Sequence, residues 1–158
     1  MNINIISVGK IKEDYFVKAM AEYEKRISRF CKINSIYLND RKIPDNPTDG
    51  ECARVLQAEG EDILKKIMHG DFVIVLCVEG KQLSSTELAK KLGNIMQISS
   101  NIDFVIGGSL GLSEKVKARA DLKLSLSEMT FPHRIARLVL EEQIYRAFKI
   151  NANETYHK

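Results

Sequence analysis

Three loop-forming segments hold much of the side-chain chemistry of this 158-residue chain: Glu79-Gly80-Lys81, Gly107-Gly108-Ser109-Leu110-Gly111 and Ser127-Glu128-Met129-Thr130-Phe131-Pro132-His133. Glycines let the backbone turn tightly and let a ligand approach main-chain N–H and C=O groups closely. The third segment adds hydroxyls, a thioether, an aromatic ring and an imidazole. Brought together, these groups describe a pocket for a flat, polar-edged molecule such as a nucleoside. Phosphate motifs are missing. Gly80-Lys81 is followed by Gln82, and Val75 stands where a P-loop needs its first glycine. Gly107 to Gly111 lacks the Gly-x-Gly-x-x-Gly order, and no acidic residue closes a following strand. A nucleoside without phosphates is favoured over a dinucleotide or a triphosphate.

Further charged groups lie toward the C-terminus. Glu142 and Arg146 stand at i, i+4, flanked by Leu138 and Val139. That spacing suits a helix-stabilising ion pair, and charges beside an apolar helix face equally suit an interface or a site. His133 can act as a base near neutral pH or serve the fold. His157, between Tyr156 and Lys158, gains a purpose if the tail orders over a bound partner. Cys31, Cys52 and Cys77 are odd in number and show no Cys-x-x-Cys spacing, so neither a disulfide framework nor a zinc site is expected. Cys77 reads as a small core residue, and no metal is predicted.

The elements that must position these groups alternate. Residues 2–8 read as a strand closed by Gly9, and Tyr15, Phe16, Ala19, Met20, Tyr23 and Ile27 recur at helical spacing from Glu13 to about Phe30. Ile33 to Leu38 alternates as a half-exposed strand, and residues 39–50, with Pro44, Pro47 and Gly50, read as loop. A helix through Val55, Ile63, Leu64 and Ile67 ends near Gly70. The apolar run Phe72 to Val78, stopped by Glu79-Gly80, predicts a strand buried on both faces, as in a parallel sheet. Ser84 and Glu87 stand at capping-box spacing ahead of a helix. Asp103 to Ile106 predicts a strand, Ser113 a cap for a short helix to Ala120, and Leu122 to Leu126 a last strand. Pro132 suits a first helical position, opening a helix to about Ile150. The pattern is one α/β domain over residues 1–158, with a mostly parallel sheet and helices on both faces. Ligands then belong beyond the carboxyl ends of the strands, where the three segments fall.

Composition sets the outer bounds. Apolar residues make up 44% and charged residues 28%, which excludes disorder as the main theme. No stretch is long and apolar enough for a membrane span, and the N-terminus lacks a secretion signal, so the cytoplasm is the expected location. A net charge of +3 says little about partners, but two basic clusters do more. Lys25, Arg26, Arg29 and Lys32 read as a solvated helix face; Arg134, Arg137, Arg146, Lys149 and Lys158 follow the third loop and suggest an acidic partner.

Long segments of the chain resemble a known family. They are Ile6-Ser7-Val8-Gly9-Lys10, Asp103 to Leu112, Leu124 to His133, Glu142 to Ala147 and Tyr156-His157-Lys158, in order over the whole length. This chain is similar to the RlmH-type enzymes, SPOUT-class methyltransferases acting on N3 of a pseudouridine in large-subunit (23S) ribosomal RNA. The resemblance implies a homodimer with a trefoil knot in the C-terminal half, holding S-adenosyl-L-methionine bent in the knot. It places cofactor contacts on Leu76, Gly108, Ser127, Glu128, Met129, Thr130, Phe131 and Pro132, with the main chain mattering most at position 128. Glu142, Arg146 and His157 are the expected catalytic set, with Glu142, His157 or His133 assisting deprotonation. Tyr156, Lys158 and His133 are expected on the RNA, and an assembled ribosome is the expected partner. Two rivals remain: a nucleotide-binding hydrolase or dehydrogenase, and a non-catalytic RNA- or ribosome-binding factor.

Overall fold

The computed structural model describes residues 1–157. Lys158 lies outside the described residues. Ten elements alternate: β1 (Asn2–Val8), α1 (Asp14–Ile27), β2 (Lys32–Leu38), α2 (Asp49–Leu64), β3 (Phe72–Gln82), α3 (Ser85–Ile98), β4 (Asn101–Ile106), α4 (Glu114–Arg119), β5 (Leu122–Ser125) and α5 (His133–Asn151). The strands form one five-stranded sheet in the order β2-β1-β4-β3-β5. Every neighbouring pair is parallel, as the continuous apolar runs predicted.

Period-two alternation divides the core between the two faces of the sheet. Ile3, Ile5, Ile74, Ile102 and Phe104 pack under α1, α3 and α5 against Ile27, Leu92, Ile95, Leu140, Ile144 and Phe148. Ile6, Val8, Val73, Val75 and Val105 pack under α2 and α4 against Ile63 and Val116. Each fully buried side chain of this size contributes roughly 1.5–3 kcal/mol. No helix is long and apolar enough to cross a membrane among the described residues.

Four departures from the sequence pattern appear, the first of them at the carboxyl end of β3. Gly80 does not end β3: the strand runs to Gln82, and its pairing with β5 jumps from Leu76 to Lys81, both opposite Leu124. Residues 77–80 therefore bulge out of the ladder instead of turning. Gly80 is required there, because a Cβ would stand 2.7 Å from the backbone carbon of Leu124. The 39–50 loop is also shorter than read, since α2 starts at Asp49 behind a full Thr48–Glu51 capping box. That helix stops at Leu64, and Pro132 stands just ahead of α5 instead of within it. The expected Ser84–Glu87 box and Ser113 cap are both present.

Two buried polar networks fix the register of these layers. At the amino end of the sheet, Asn34 donates to Asn4 at 2.8 Å and Asn4 to Asp103 at 2.7 Å. Asn2 donates to Asn101, and Asn101 to Asp71, each at 2.8 Å. These in-register side chains would lose their partners on a one-residue slip. Asp103 Oδ2 is buried without a partner. Burial first, then the nearby Asp71 charge, pushes its pKa up to about 6, against the Asn4 hydrogen bond. The second network centres on Arg137, which is 0% exposed. Its Nε donates to Glu141 at 3.0 Å, one terminal nitrogen to Ser7 at 2.8 Å, and the other to Ser35 and toward Glu24 at 3.5 Å. The Tyr37 ring lies 4.5 Å from the guanidinium carbon.

Two stability tests follow from these networks. Because folded Asp103 keeps its proton to higher pH than an unfolded aspartate, its stabilising contribution is full below about pH 4 and is lost as pH rises through about 6, by at most about 3 kcal/mol. Asp103→Asn, which keeps the acceptor for Asn4, flattens this part of the profile; urea unfolding at pH 5 and pH 7 reads it, and equal pH slopes in both proteins refute the assignment. Glu141→Leu leaves a buried cation short of its counter-charge and costs about 3–5 kcal/mol, whereas adding Arg137→Met recovers most of that loss in the same assay.

Candidate active site

The carboxyl ends of β3, β4 and β5 open into a hollow of about 760 Å³, within the range that small-molecule sites occupy. Its walls come from the three expected regions: Leu76 to Glu79, Ile106 to Leu112, and Leu124 to Ser127 with Met129 to Arg134. The β3 bulge supplies the first wall. Its residues 77–80 make no ladder pairs with β5, and Cys77, Val78 and Glu79 of this stretch line the hollow. The second wall is a tight turn in which Gly111 N–H donates to the Gly108 carbonyl at 3.0 Å. The third is shaped by serines, Ser125 donating to the Ser127 carbonyl at 2.9 Å and Ser127 accepting from Met129 N–H at 3.0 Å.

The lysine and the arginine that line the hollow are each paired with a carboxylate. Lys117 of α4 pairs with Glu79 on the bulge, and Arg134 pairs with Glu13. The Lys117 hydrogen bond holds the Glu79 carboxyl below its ordinary range. Cys77, expected in the core, is half-buried and lines the hollow, and burial raises its thiol pKa.

Leu76, Gly108, Ser127, Met129, Thr130, Phe131 and Pro132 all line this space, as does His133. Gly80, Lys81 and Glu128 do not. The Glu79–Lys117 pair was missed in the sequence because its members are remote in the chain, with no local spacing to reveal them.

The expected catalytic residues gather elsewhere. Arg146 grips the Glu142 carboxylate through Nε at 3.0 Å and a terminal nitrogen at 2.6 Å. Tyr156 donates to the same oxygen at 3.2 Å, and its ring lies 4.7 Å from the Arg146 guanidinium carbon. His157 Nδ1 lies 3.4 Å from Arg146. Desolvation first, then the Glu142 charge, pushes the Tyr156 hydroxyl up to about 12. The C-terminal tail thus folds onto α5. With a rise of about 1.5 Å per residue, Glu142 and Arg146 lie about 9 and 15 Å along α5 from Ala136, the last pocket-lining residue of that helix.

The basic tail cluster also needs correcting. Arg137 is a core cation, Arg146 is held by Glu142, and Lys149 pairs with Glu154. In the first cluster, Arg26 pairs with Glu22 and stacks over Tyr23, in keeping with a solvated face. No cluster of potential metal ligands occurs among the described residues.

Comparison with known proteins agrees with this geometry. A family model described as "Predicted SPOUT methyltransferase" matches residues 1–157. The chain is 53% identical to "Ribosomal RNA large subunit methyltransferase H" of Clostridium novyi (strain NT), and 50% identical to the protein of that name in Clostridioides difficile (strain 630), over 100% of both chains in each case. Among solved structures, "The structure of a probable methylase family protein from Haemophilus influenzae Rd KW20" superposes with a TM-score of 0.54 at 15% identity, covering 99% of this chain and 70% of that one. At that identity the superposition speaks for the fold alone. Matched along its whole described length, the chain belongs to the SPOUT methyltransferase family, and within it to the RlmH-type proteins.

Proposed function

We propose that the protein transfers a methyl group from S-adenosyl-L-methionine to N3 of a pseudouridine in large-subunit ribosomal RNA, on the assembled ribosome. The observation that carries this reading is the single hollow into which the three loop regions converge. Its volume, glycine turn and hydroxyl-bearing third loop suit a nucleoside, and relatives matched over their full length are named as large-subunit ribosomal RNA methyltransferases.

When bound, the cofactor supplies a methyl group already activated on a positively charged sulfur. Leu76, Gly108 and the 127–132 turn would hold it, chiefly by main-chain groups, with Glu128 contributing through its backbone from outside the lining. Membership of the SPOUT family supports a trefoil knot in the C-terminal half of the chain.

Methylation of a pseudouridine imide requires removal of its N3 proton and stabilisation of the resulting anion. Arg146 and His157 carry the charge and the imidazole for this, while Glu142 orients Arg146 and Tyr156. Tyr156 and His157 would close over the base, with His133 at the mouth of the hollow and Lys158 beside the RNA. Since this group lies along α5 from the hollow, it meets a bound cofactor most simply from a second copy of the chain. Exposed apolar side chains at Met129 (74%), Phe131 and Ile135 beside the hollow suit such a two-fold contact.

Two experiments test these points. Purified protein incubated with ribosomes and methyl-labelled S-adenosyl-L-methionine places one label on a pseudouridine of the large-subunit RNA; calorimetry detecting ATP or NAD binding but none of the methyl donor would overturn the reading. Arg146→Ala is expected to be inactive yet able to bind cofactor, and Gly108→Ala unable to bind it. Mixing the two in equal amounts restores roughly a quarter of wild-type activity, since half the dimers are mixed and each holds one intact site. No restoration would place the whole site within one chain.

A further inference from the structure

Glu59, on α2, is absent from the walls of the hollow, yet it is buried directly behind one of them, with 5% exposure. An ionisable carboxylate held out of water is costly unless its oxygens are used. Oε1 accepts the backbone N–H of Arg41, in the loop between β2 and α2, at 3.0 Å. Oε2 faces the glycine turn: a Cβ built on Gly108 would stand 3.2 Å from it. Burial raises the Glu59 pKa, the Arg41 hydrogen bond opposes the rise, and the Asp40 charge reinforces it. The next residue, Gly60, packs against Ser113, the cap of α4. This short stretch of α2 is therefore the floor on which the 107–113 segment rests.

We propose that Glu59 is a positioning residue for the methyl-donor loop. It braces Gly108 from behind and ties that loop to the Arg41 segment, so that the turn is formed before the cofactor arrives. The inference rests on the methyl-donor reading of the hollow and adds a residue that touches neither cofactor nor RNA. Removing the side chain opens a void behind Gly108. The turn then samples other conformations, and the cofactor's apparent affinity falls by the fraction of molecules still competent to bind. Once the cofactor is bound, the loop is ordered again, so turnover at saturation is unaffected.

The test compares wild type, Glu59→Ala and Glu59→Gln by KM for S-adenosyl-L-methionine, by kcat on ribosomes, and by thermal midpoint. Glu59→Ala raises KM about tenfold and leaves kcat within about twofold. Glu59→Gln keeps the volume and the acceptor for Arg41, and returns KM to near the wild-type value. A purely structural brace would instead lower the midpoint and the active fraction, seen in kcat, with KM unchanged; that result overturns the proposal, as does a glutamine variant as impaired as the alanine one. Should Glu59→Ala fail to fold, Glu59→Asp carries the test, because its shorter side chain cannot hold Arg41 and back Gly108 together: a raised KM supports the proposal and an unchanged KM overturns it. Failure of wild type to bind S-adenosyl-L-methionine in calorimetry would instead sink the methyl-donor reading itself.

Discussion

A guanidinium with no access to water sets the geometry of the rest. Arg137 reaches Glu141 on its own helix, Ser7 on β1, Ser35 on β2 and Glu24 on α1, with Tyr37 under its face. Desolvating such a charge costs several kcal/mol, and only the full set of partners offsets it. A slide of α5 by one turn would strand the cation, so the helix has one permitted position. Glu141 shares the constraint: burial pushes its carboxyl pKa up while the Arg137 charge beside it pulls it down, and its Oε2 has no partner. Both ends of α5 inherit that fixed position. The first turn brings His133, Arg134 and Ala136 to the hollow, and the middle carries Glu142 and Arg146 away from it.

This anchor was legible in the sequence, though the reading of Arg137 as part of a basic surface passed over it. Arg137, Leu140, Glu141, Ile144 and Phe148 follow the i, i+3, i+4, i+7, i+11 spacing of one helix face, and all are buried. The charged pair hid in that pattern because Arg-x-x-x-Glu on a helix is usually solvated. Glu141 and Glu142, neighbours in sequence, face opposite environments for the same reason: one points to the sheet, the other to the C-terminal tail. The strands were easier to place, since Val73 to Val75 and Asp103 to Ile106 are buried on both faces, although Val78, at the end of the apolar run expected to be buried, is 49% exposed. The end of β3 was not legible. Gly80 reads locally as a stop, and only the non-local pairing of Lys81 and Gln82 with Leu124 and Ser125 continues the strand. At α2 the Thr48–Glu51 box was present in the sequence, but Pro47 and the polar run before it masked the cap.

The site divides along the same line. Its main-chain walls could be inferred from glycine and serine content together with the rule that ligands sit at strand carboxyl ends. Side chains that act from behind or across the hollow, Glu59 against Gly108 and Lys117 with Glu79, left no spacing to detect, because each joins segments that only the fold brings together. Glycine serves two purposes here. At position 80 it lets the β3 bulge lie close against the Leu124 backbone of β5, and at 108 it leaves room for the buried carboxylate of Glu59.

The electrostatics of the hollow extend the argument from missing phosphate motifs. Beside the Cys77 thiol, four ionisable side chains line it: Glu79, Lys117, His133 and Arg134. Lys117 is committed to Glu79, and Arg134 to Glu13. Among the described residues, a triphosphate or dinucleotide entering this space would meet Lys117 and Arg134 already paired with carboxylates, and would have to break an ion pair to be neutralised by them. A sulfonium donor has the opposite need. It brings its own positive charge, so a hollow whose cations are already balanced, with the buried carboxylate of Glu59 behind one wall, imposes no comparable repulsion. The absence of a phosphate loop in the sequence and the pairing of charges in the fold both support the methyl-donor nucleoside proposed for this hollow.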